Sequence, residues 1–138
     1  MQIRPYQASD LAQVLALWRA CNLTIAVNEP RKDIERKLAV SPELFLLGEF
    51  EGRVVASVMA GYEGHRGWIN YLAVAPSYRR KSYGRLMMAA AEQLLDELEC
   101  PKINLQVRSA NAAVVAFYAS LGYVTDDVVS MGKRLRID

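Results

Sequence analysis

Four basic side chains are concentrated between Tyr78 and Arg85, immediately before a stretch with helical spacing. They are Arg79, Arg80, Lys81 and Arg85. The first N–H groups of a helix have no intrahelical partner and favour phosphate oxygens, and basic side chains add charge-assisted hydrogen bonds. Gly84 lets a ligand approach the backbone closely because it has no Cβ atom. The segment therefore predicts a phosphate cradle, although composition alone leaves a solvated helix start equally open.

The chain offers few side chains for other kinds of chemistry. His65 is the one histidine, and Cys21 and Cys100 lie too far apart for a CxxC motif or a disulfide framework, so we predict no metal site. No GxSxG, HExxH or P-loop pattern occurs, which argues against a serine hydrolase, a zinc protease and a P-loop nucleotidase. The chemistry is therefore predicted to come from backbone donors, positioning and a few acid or base side chains.

Length, charge and hydropathy narrow the class of protein. The 138 residues suit one domain over residues 1–138, and a hydrophobic fraction of 52% allows a substantial core. The formal net charge of +2 is too small to indicate a nucleic-acid or membrane partner. The amino terminus lacks signal-peptide features, and no apolar stretch reaches membrane-spanning length. Because the two cysteines are also isolated, we predict a cytoplasmic protein with reduced thiols.

Hydrophobic periodicity predicts the elements that must position the cradle. Helices are predicted from an N-cap at Ser9, from Pro30, after the cradle and after Asn111. Strands are predicted in MQIRPY, LFLLGEF, RVVASVMAGY, WINYLAVAP, KINLQVR and, as one or two strands, YVTDDVVSMGKRLRI. A hairpin turn is predicted at Glu51-Gly52. The order β-α-α-β-β-β-α-β-α-β indicates an α/β sandwich around a mixed sheet.

Two segments carry a resemblance to a known family. LAVAPSYRRKSYGRLM resembles the acetyl-CoA-binding region of the GCN5-related N-acetyltransferases, the GNAT superfamily, whose phosphate-binding pattern is Gln/Arg-x-x-Gly-x-Gly/Ala. Arg79 occupies the first position of this pattern, Ser82 the usual glycine and Gly84 the final small residue. NAAVVAFYASLGYV, from Asn111 to Val124, resembles the family's Asn-x-x-Ala-x-x-Phe-Tyr-x-x-x-Gly-Phe/Tyr segment. The two segments occur in the expected order, and the resemblance covers nearly the whole chain.

The resemblance implies a single-domain GNAT fold, in which a mixed central sheet carries helices on both faces and two central strands splay apart. Those strands are WINYLAV and KINLQVR here. The resemblance further implies that acetyl-CoA is the cosubstrate, that its pantetheine arm enters the gap, and that a backbone N–H near Ala73 or Val74 polarises the thioester carbonyl. The implied reaction is direct acetyl transfer to an amine. The implied cofactor-binding residues are Leu72, Ala73, Val74, Arg79, Arg80, Lys81, Ser82, Tyr83, Gly84, Arg85 and Asn111, the last of which is equally well explained as a helix N-cap.

A few polar side chains are candidates for the acid and the base of the predicted acetyl transfer. The resemblance matches Tyr118 to the tyrosine that protonates the departing CoA thiolate, while core packing beside Phe117 is the structural alternative. Glu63, acting through a water, and His65 are candidate bases because they precede the central strand. A polar loop explains both of them as well. Tyr71 is a further polar candidate, and ordered water can replace a dedicated base.

Ser82 departs from the family pattern, and the physical consequence depends on its backbone. If the position needs positive φ, serine adds strain of roughly 1 kcal/mol or more. If the backbone stays in an ordinary region, the hydroxyl adds a hydrogen bond instead. We expect phosphate binding to survive in either case, because neighbouring basic residues offset a modest loss.

The acceptor is predicted to be the amine of a small molecule or a peptide. The resemblance implies an acceptor side formed by CNLTIAVNEP and YEGHRG, with Trp18, Asn28 and Glu29 as candidate contacts, although packing, capping and solvent exposure explain these three as easily. The alternative function is a noncatalytic acyl-CoA-binding or sensing domain. Exposed apolar surfaces also leave a homodimer open.

Overall fold

The computed structural model describes residues 1–24 and 29–137, and the chain divides into two compact units, Met1–Leu105 and Gln106–Asp138. The first unit contains β1 (Gln2–Pro5), α1 (Leu11–Ala20), α2 (Pro30–Val40), β2 (Phe45–Phe50), β3 (Arg53–Tyr62), β4 (Gly67–Val74), α3 (Tyr83–Glu97) and β5 (Ile103–Asn104). Short 3-10 helices lie at Ala8–Asp10, Pro42–Leu44 and Pro76–Tyr78, and the second unit contains α4 (Ala112–Ser120). Up to α4, this order is the one that the hydrophobic pattern predicts.

The five strands form one mixed sheet in the order β1-β2-β3-β4-β5. Neighbouring strands from β1 to β4 are antiparallel, and the predicted Glu51-Gly52 turn joins β2 to β3 with both residues at positive φ. Two-residue hairpin turns of type I′ require positive φ at both central residues. β5 runs parallel to β4 and pairs with it only at Gly67 and Trp68. The mixed sheet and the early separation of β4 from β5 confirm the predicted fold class.

Helices cover both faces of this sheet. On one face, α1 and α2 bury Val14, Trp18 and Ile34 in a cluster that includes Leu47 of β2. α3 buries four residues, Met87, Met88, Ala91 and Leu95, and contacts β2, β3 and β4. These four residues lie outside the α1–α2 cluster, and successive strand residues point to opposite faces. α3 therefore packs on the opposite face, so that helices lie on both faces of the sheet, as the family resemblance implies.

Arg4 ties β1 to the start of α1 and to β2. Its guanidinium donates to both carboxylate oxygens of Asp10 at 2.8 Å and to Glu49 Oε2 at 2.7 Å. Asp10 is buried and also accepts from the backbone N–H of Gln7 at 2.8 Å. The hydrogen bond from Arg4 holds the pKa of Asp10 below its usual value. The expectation that Ser9 caps α1 is wrong, because a 3-10 turn precedes the helix and places Asp10 at the N-cap.

The second unit is built around α4. Asn111 caps this helix, with its side-chain Oδ1 accepting from the backbone N–H of Val114 at 3.3 Å. Gly122 follows the helix at a φ of 95°, and Tyr123 N–H bonds back to Tyr118 O at 3.1 Å. The predicted helix, its cap and its glycine terminator are therefore confirmed.

Two predicted strands are shorter or missing in the part of the chain that the structure describes. KINLQVR forms a strand only over Ile103–Asn104, and residues 124–137 form none and are exposed. Both predictions were wrong at these positions. Alternating side chains show only that a segment can bury one face, whereas a strand also requires a partner edge for its N–H and C=O groups.

Candidate active site

A β-bulge interrupts β4 opposite the middle of β3. Ser57 pairs with Ala73 and Met59 pairs with Asn70, so that two residues, Tyr71 and Leu72, oppose the single residue between them on β3. Tyr71 has a φ of 52°, which is uncommon for a residue with a side chain. Bulges bend a strand and increase its twist, and this one lies where β4 has already lost its pairing with β5.

A buried serine hydroxyl fixes the bulge. Ser57 Oγ donates to the carbonyl oxygen of Tyr71 at 2.8 Å and accepts from Trp18 Nε1 at 2.9 Å. Ser57 is 0% exposed, and the Trp18 and Tyr71 rings stack at a centroid distance of 3.8 Å. The hydroxyl thus satisfies a carbonyl that the bulge removes from the β-ladder. The sequence does not single out Ser57, because one serine within an apolar strand matches no known motif.

The backbone of Val74 is directed away from β3. Ala75 N–H donates to Val55 O at 2.8 Å, and Val74 pairs with Ala56 at the next position. Because hydrogen-bonded and non-hydrogen-bonded pairs alternate in an antiparallel ladder, the N–H and C=O of Val74 point to the other edge of β4. The carbonyl accepts from Arg79 Nε at 3.2 Å and from Cys21 Sγ at 3.3 Å. The N–H is therefore the donor that this edge can offer to a ligand.

A turn with two left-handed residues links β4 to α3. Arg80 has a φ of 64°, and Ser82 has a φ of 63° and a ψ of 17°. Ser82 is the N-cap of α3: its carbonyl accepts from Leu86 N–H at 3.0 Å, while its side chain makes no capping hydrogen bond. The N–H groups of Tyr83, Gly84 and the next residue therefore open the helix without intrahelical partners. Such a turn and helix start form a concave set of N–H donors suited to an anion.

The side chains around the turn divide between packing and exposure. Tyr78 and Tyr83 stack at 6.3 Å, and Phe50 at the end of β2 contacts Tyr78 edge-on at 5.9 Å. Four basic residues are exposed: Arg79, Arg80, Lys81 and Arg85. The structure thus brings the predicted cradle residues and Leu72–Val74 together in one stretch, with Arg79 bonded back to the strand end. Phe50 was not anticipated, since its place beside the turn depends on sheet order.

The sequence leaves two possibilities for Ser82, namely backbone strain at positive φ or an added hydroxyl hydrogen bond. Its left-handed conformation shows that the first applies. Its φ of 63° lies in the region that costs a residue with a side chain roughly 1–2 kcal/mol. The hydroxyl makes no hydrogen bond to the helix start, so the strain is not offset there. Serine is therefore accommodated in the conformation that glycine adopts freely.

The candidate bases Glu63 and His65 lie before the opposite end of β4. Glu63 Oε1 accepts from the backbone N–H of His65 at 3.0 Å and from that of Arg66, which closes the turn between β3 and β4. Both candidate side chains are exposed. An eight-residue strand spans about 25 Å, so the structure does not bring this pair to the end of β4 that carries Val74. Their catalytic role remains a prediction.

Tyr118 lies on α4 of the second unit. It is 9% exposed, and its ring contacts those of Phe117 and Tyr123 at centroid distances of 5.2 and 5.6 Å. Burial raises the pKa of Tyr118 to about 12. The phenol is therefore protonated at neutral pH and is a weaker acid than an exposed tyrosine, so its role as a proton donor stays a prediction. Its aromatic packing and its catalytic role remain compatible.

Tyr71 connects β4 to α2 on the face of the sheet that α1 and α2 cover. Its hydroxyl donates to Asp33 Oδ2 at 2.6 Å. Burial is the larger cause that raises the pKa of Tyr71, and this hydrogen bond is the second.

The candidate acceptor contacts differ in exposure. Trp18 is fully buried, so it is a packing residue, and the prediction that it contacts the acceptor is wrong. Glu29 lines a pocket of about 260 Å³ together with Leu15, Arg19, Thr24, Pro30 and Arg31. Asn28 lies outside the described residues.

Two features that would change the class of site are absent from the described residues, 1–24 and 29–137. No group of three or more His, Cys, Asp and Glu side chains is arranged to hold a metal ion. No helix in the same residues combines the length and apolar character that a membrane span requires.

Comparison with known proteins decides the family. A sequence profile of the acetyltransferase (GNAT) family matches residues 11–123 of the chain. The chain belongs to the GNAT family. An acetyltransferase from Yersinia enterocolitica is 45% identical to this GNAT acetyltransferase over 138 residues, which cover 100% of the chain and 98% of the relative. The bulge, the open strand edge and the turn therefore belong to an acetyl-transferring enzyme.

Two solved structures share the fold of this GNAT acetyltransferase. An aminoglycoside 6'-N-acetyltransferase from Acinetobacter haemolyticus aligns with a TM-score of 0.78 at 22% identity, covering 99% of this chain and 100% of that one. A second aminoglycoside 6'-N-acetyltransferase, in complex with the bisubstrate analogue CoA-S-monomethyl-acetylneamine, aligns with a TM-score of 0.77 at 16% identity, covering 96% and 97% of the two chains. At these identities the likeness concerns the fold.

Proposed function

We propose that this GNAT acetyltransferase transfers the acetyl group of acetyl-CoA directly to the amine of a small molecule or peptide. The observation that carries the proposal is the outward-facing backbone of Val74, which lies a few residues before a left-handed turn and the start of α3. The strand edge at Val74 suits the extended, amide-rich pantetheine arm of acetyl-CoA, and the turn with the start of α3 suits its phosphate groups.

The described residues fit acetyl-CoA along this stretch. The first N–H groups of α3 are suited to the pyrophosphate, and the exposed Arg80, Lys81 and Arg85 add positive charge. The backbone of Leu72–Val74 is suited to the pantetheine arm, since β5 does not pair with these residues. Acetyl-CoA would supply the activated acetyl group as a thioester.

The reaction that these groups support is a direct transfer. The amine nitrogen attacks the thioester carbonyl carbon, and the Val74 N–H stabilises the negative charge that develops on the carbonyl oxygen. The carbon–sulfur bond then breaks, and the CoA thiolate takes the phenolic proton of Tyr118. The proton that the amine nitrogen loses passes through water to the phenolate and restores the tyrosine. The role of Tyr118 rests on the family resemblance of the segment from Asn111 to Val124. The step requires no covalent acetyl-enzyme.

The acceptor class is proposed to be an amine of a small molecule or a peptide. The two solved structures compared above are aminoglycoside 6'-N-acetyltransferases, one of them in complex with the bisubstrate analogue CoA-S-monomethyl-acetylneamine. An amine acceptor for this chain is consistent with that arrangement. A cytoplasmic location, a single domain and a homodimer stay predictions.

Calorimetric titration with acetyl-CoA tests the proposal. We expect micromolar binding to the wild type and a loss of about tenfold or more in Gly84→Glu, since the carboxylate would repel phosphate groups at the helix start. Gly132→Glu is the matched control, because a side chain there meets nothing within 4 Å. CoA release with a panel of amines then tests transfer. The absence of wild-type binding into the millimolar range, or equal binding by Gly84→Glu, would overturn the proposed site.

A further inference from the structure

We propose that Asp33 binds the acceptor amine as an ammonium ion and accepts its proton, and that Tyr71 holds the Asp33 carboxylate in place. The inference rests on the proposed function and names the amine-recognising group within it. It assigns the acceptor to the class of amines that are cationic at neutral pH.

The carboxylate of Asp33 has acceptor capacity left for a ligand. Its Oδ2 accepts from the Tyr71 hydroxyl at 2.6 Å, and its Oδ1 forms an ion pair with the exposed Arg36 Nη1 at 3.4 Å. A carboxylate offers about four lone-pair positions, and the Asp33 side chain is 31% exposed. An ammonium ion can therefore reach Asp33 while the bond from Tyr71 persists.

The position of Tyr71 along β4 places Asp33 near the reacting end of the cosubstrate. The cradle lies beyond Val74, so an arm that enters from the cradle passes Val74 before it approaches the bulge. Tyr71 is three residues from Val74, or about 10 Å along the strand. Glu63 and His65 lie beyond Gly67 at the far end of β4, and Glu63 already closes a turn. Asp33 is thus better placed than either of them.

The pair is held rigidly by neighbours that do not face the ligand. The Tyr71 ring stacks on buried Trp18 with an interplanar angle of 14°, and its carbonyl is bonded by Ser57. Asp33 lies in the first turn of α2, where its backbone N–H donates to Glu29 O at 3.0 Å. Fixed geometry of this kind lowers the cost of placing a reacting amine.

The proposed step balances in atoms and charge. The ammonium loses one proton to the Asp33 carboxylate, and the free amine forms a bond to the thioester carbon. After the carbon–sulfur bond breaks, the thiolate gains the Tyr118 proton, and the nitrogen loses its second proton through water to the phenolate that remains. The products are an acetamide, CoA and an enzyme that exchanges protons with water.

Two simple amines test the role of Asp33 without knowledge of the natural acceptor. Butylamine is cationic at neutral pH, whereas hydroxylamine is largely uncharged. At saturating acetyl-CoA, with the uncatalysed rate subtracted, Asp33→Asn should lower kcat/KM for butylamine about 100-fold and change that for hydroxylamine far less. Glu35→Gln is the control for the loss of one negative charge, because it removes an exposed carboxylate from the same helix. Tyr71→Phe should lower butylamine transfer about tenfold, since it removes one hydrogen bond to a charged group.

The outcomes separate this inference from the proposed function. Butylamine transfer by Asp33→Asn within twofold of the wild type, or equal losses with both amines, would overturn the role of Asp33. Wild-type butylamine transfer no faster than the uncatalysed reaction would overturn it too. The proposed function fails separately, through the loss of acetyl-CoA binding in calorimetry. Asp33→Asn should bind acetyl-CoA as the wild type does, and weakened binding would show a disturbed fold instead of a lost base.

Discussion

Ser82 adopts a backbone conformation that glycine would adopt with less strain, so Ser82→Gly should stabilise the protein. With a φ of 63° and a ψ of 17°, the serine Cβ atom costs roughly 1–2 kcal/mol. Glycine has more freedom in the unfolded chain, which offsets about 0.4–1 kcal/mol of that gain. Ser82 is exposed and makes no capping hydrogen bond, so little else is lost. We expect a net stabilisation of about 0.5–1 kcal/mol.

Urea denaturation provides the assay for this prediction. The midpoint should rise while the m-value stays constant, because the same surface is exposed on unfolding. In thermal unfolding the same difference corresponds to a rise in Tm of about 2–4 °C. Acetyl-CoA affinity should be retained or increased, since glycine leaves the N–H groups at the start of α3 in place.

Glu99→Gly is the matched control for backbone strain away from the cradle. Glu99 also has a φ of 63°, but it follows the opposite end of α3, where its N–H donates to Asp96 O at 2.9 Å. It should stabilise the protein by a similar amount and leave acetyl-CoA binding unchanged. If Glu99→Gly stabilises the protein and Ser82→Gly destabilises it, the strain argument for Ser82 is refuted, and its hydroxyl contributes an interaction that outweighs the strain.

Two further predictions concern acid–base groups. Tyr118→Phe should lower kcat about 100-fold or more with the fold retained, as measured by acetyl-CoA-dependent CoA release and circular dichroism; unchanged turnover would remove the tyrosine from the mechanism. Arg4 holds the pKa of Asp10 below its usual value, so this ion pair contributes stability that is present above the unfolded-state pKa of about 4 and is lost as the pH falls through the folded-state pKa. Arg4→Met should remove that acid-dependent part of the stability and lower the urea midpoint at neutral pH; a wild-type midpoint that stays constant on acidification would contradict the argument.

Several features of the site were predictable because they depend on residues close together in sequence. Helical spacing after the basic cluster predicts α3, Asn111 and Gly122 predict the two ends of α4, and Glu51-Gly52 predicts the hairpin turn. Each follows from local chemistry, namely a cap, a left-handed residue or a repeating apolar face. The predicted strand at residues 124–137 is wrong because strand formation does not depend on nearby residues alone. A strand needs a free edge of another strand to pair with, and that edge is distant in sequence.

By itself the sequence determined the family and predicts the place of the cradle and the role of Tyr118, since these are carried by short patterns. Only the tertiary structure decided which residues meet around the bulge in β4. Trp18 bonds to Ser57 across 39 positions, Tyr71 reaches Asp33 across 38, and Ser57 holds the Tyr71 carbonyl across 14. A serine, a tyrosine and an aspartate at such separations have no pattern of their own. They become neighbours only when α1 and α2 pack on the sheet and a bulge in β4 directs one tyrosine towards a helix.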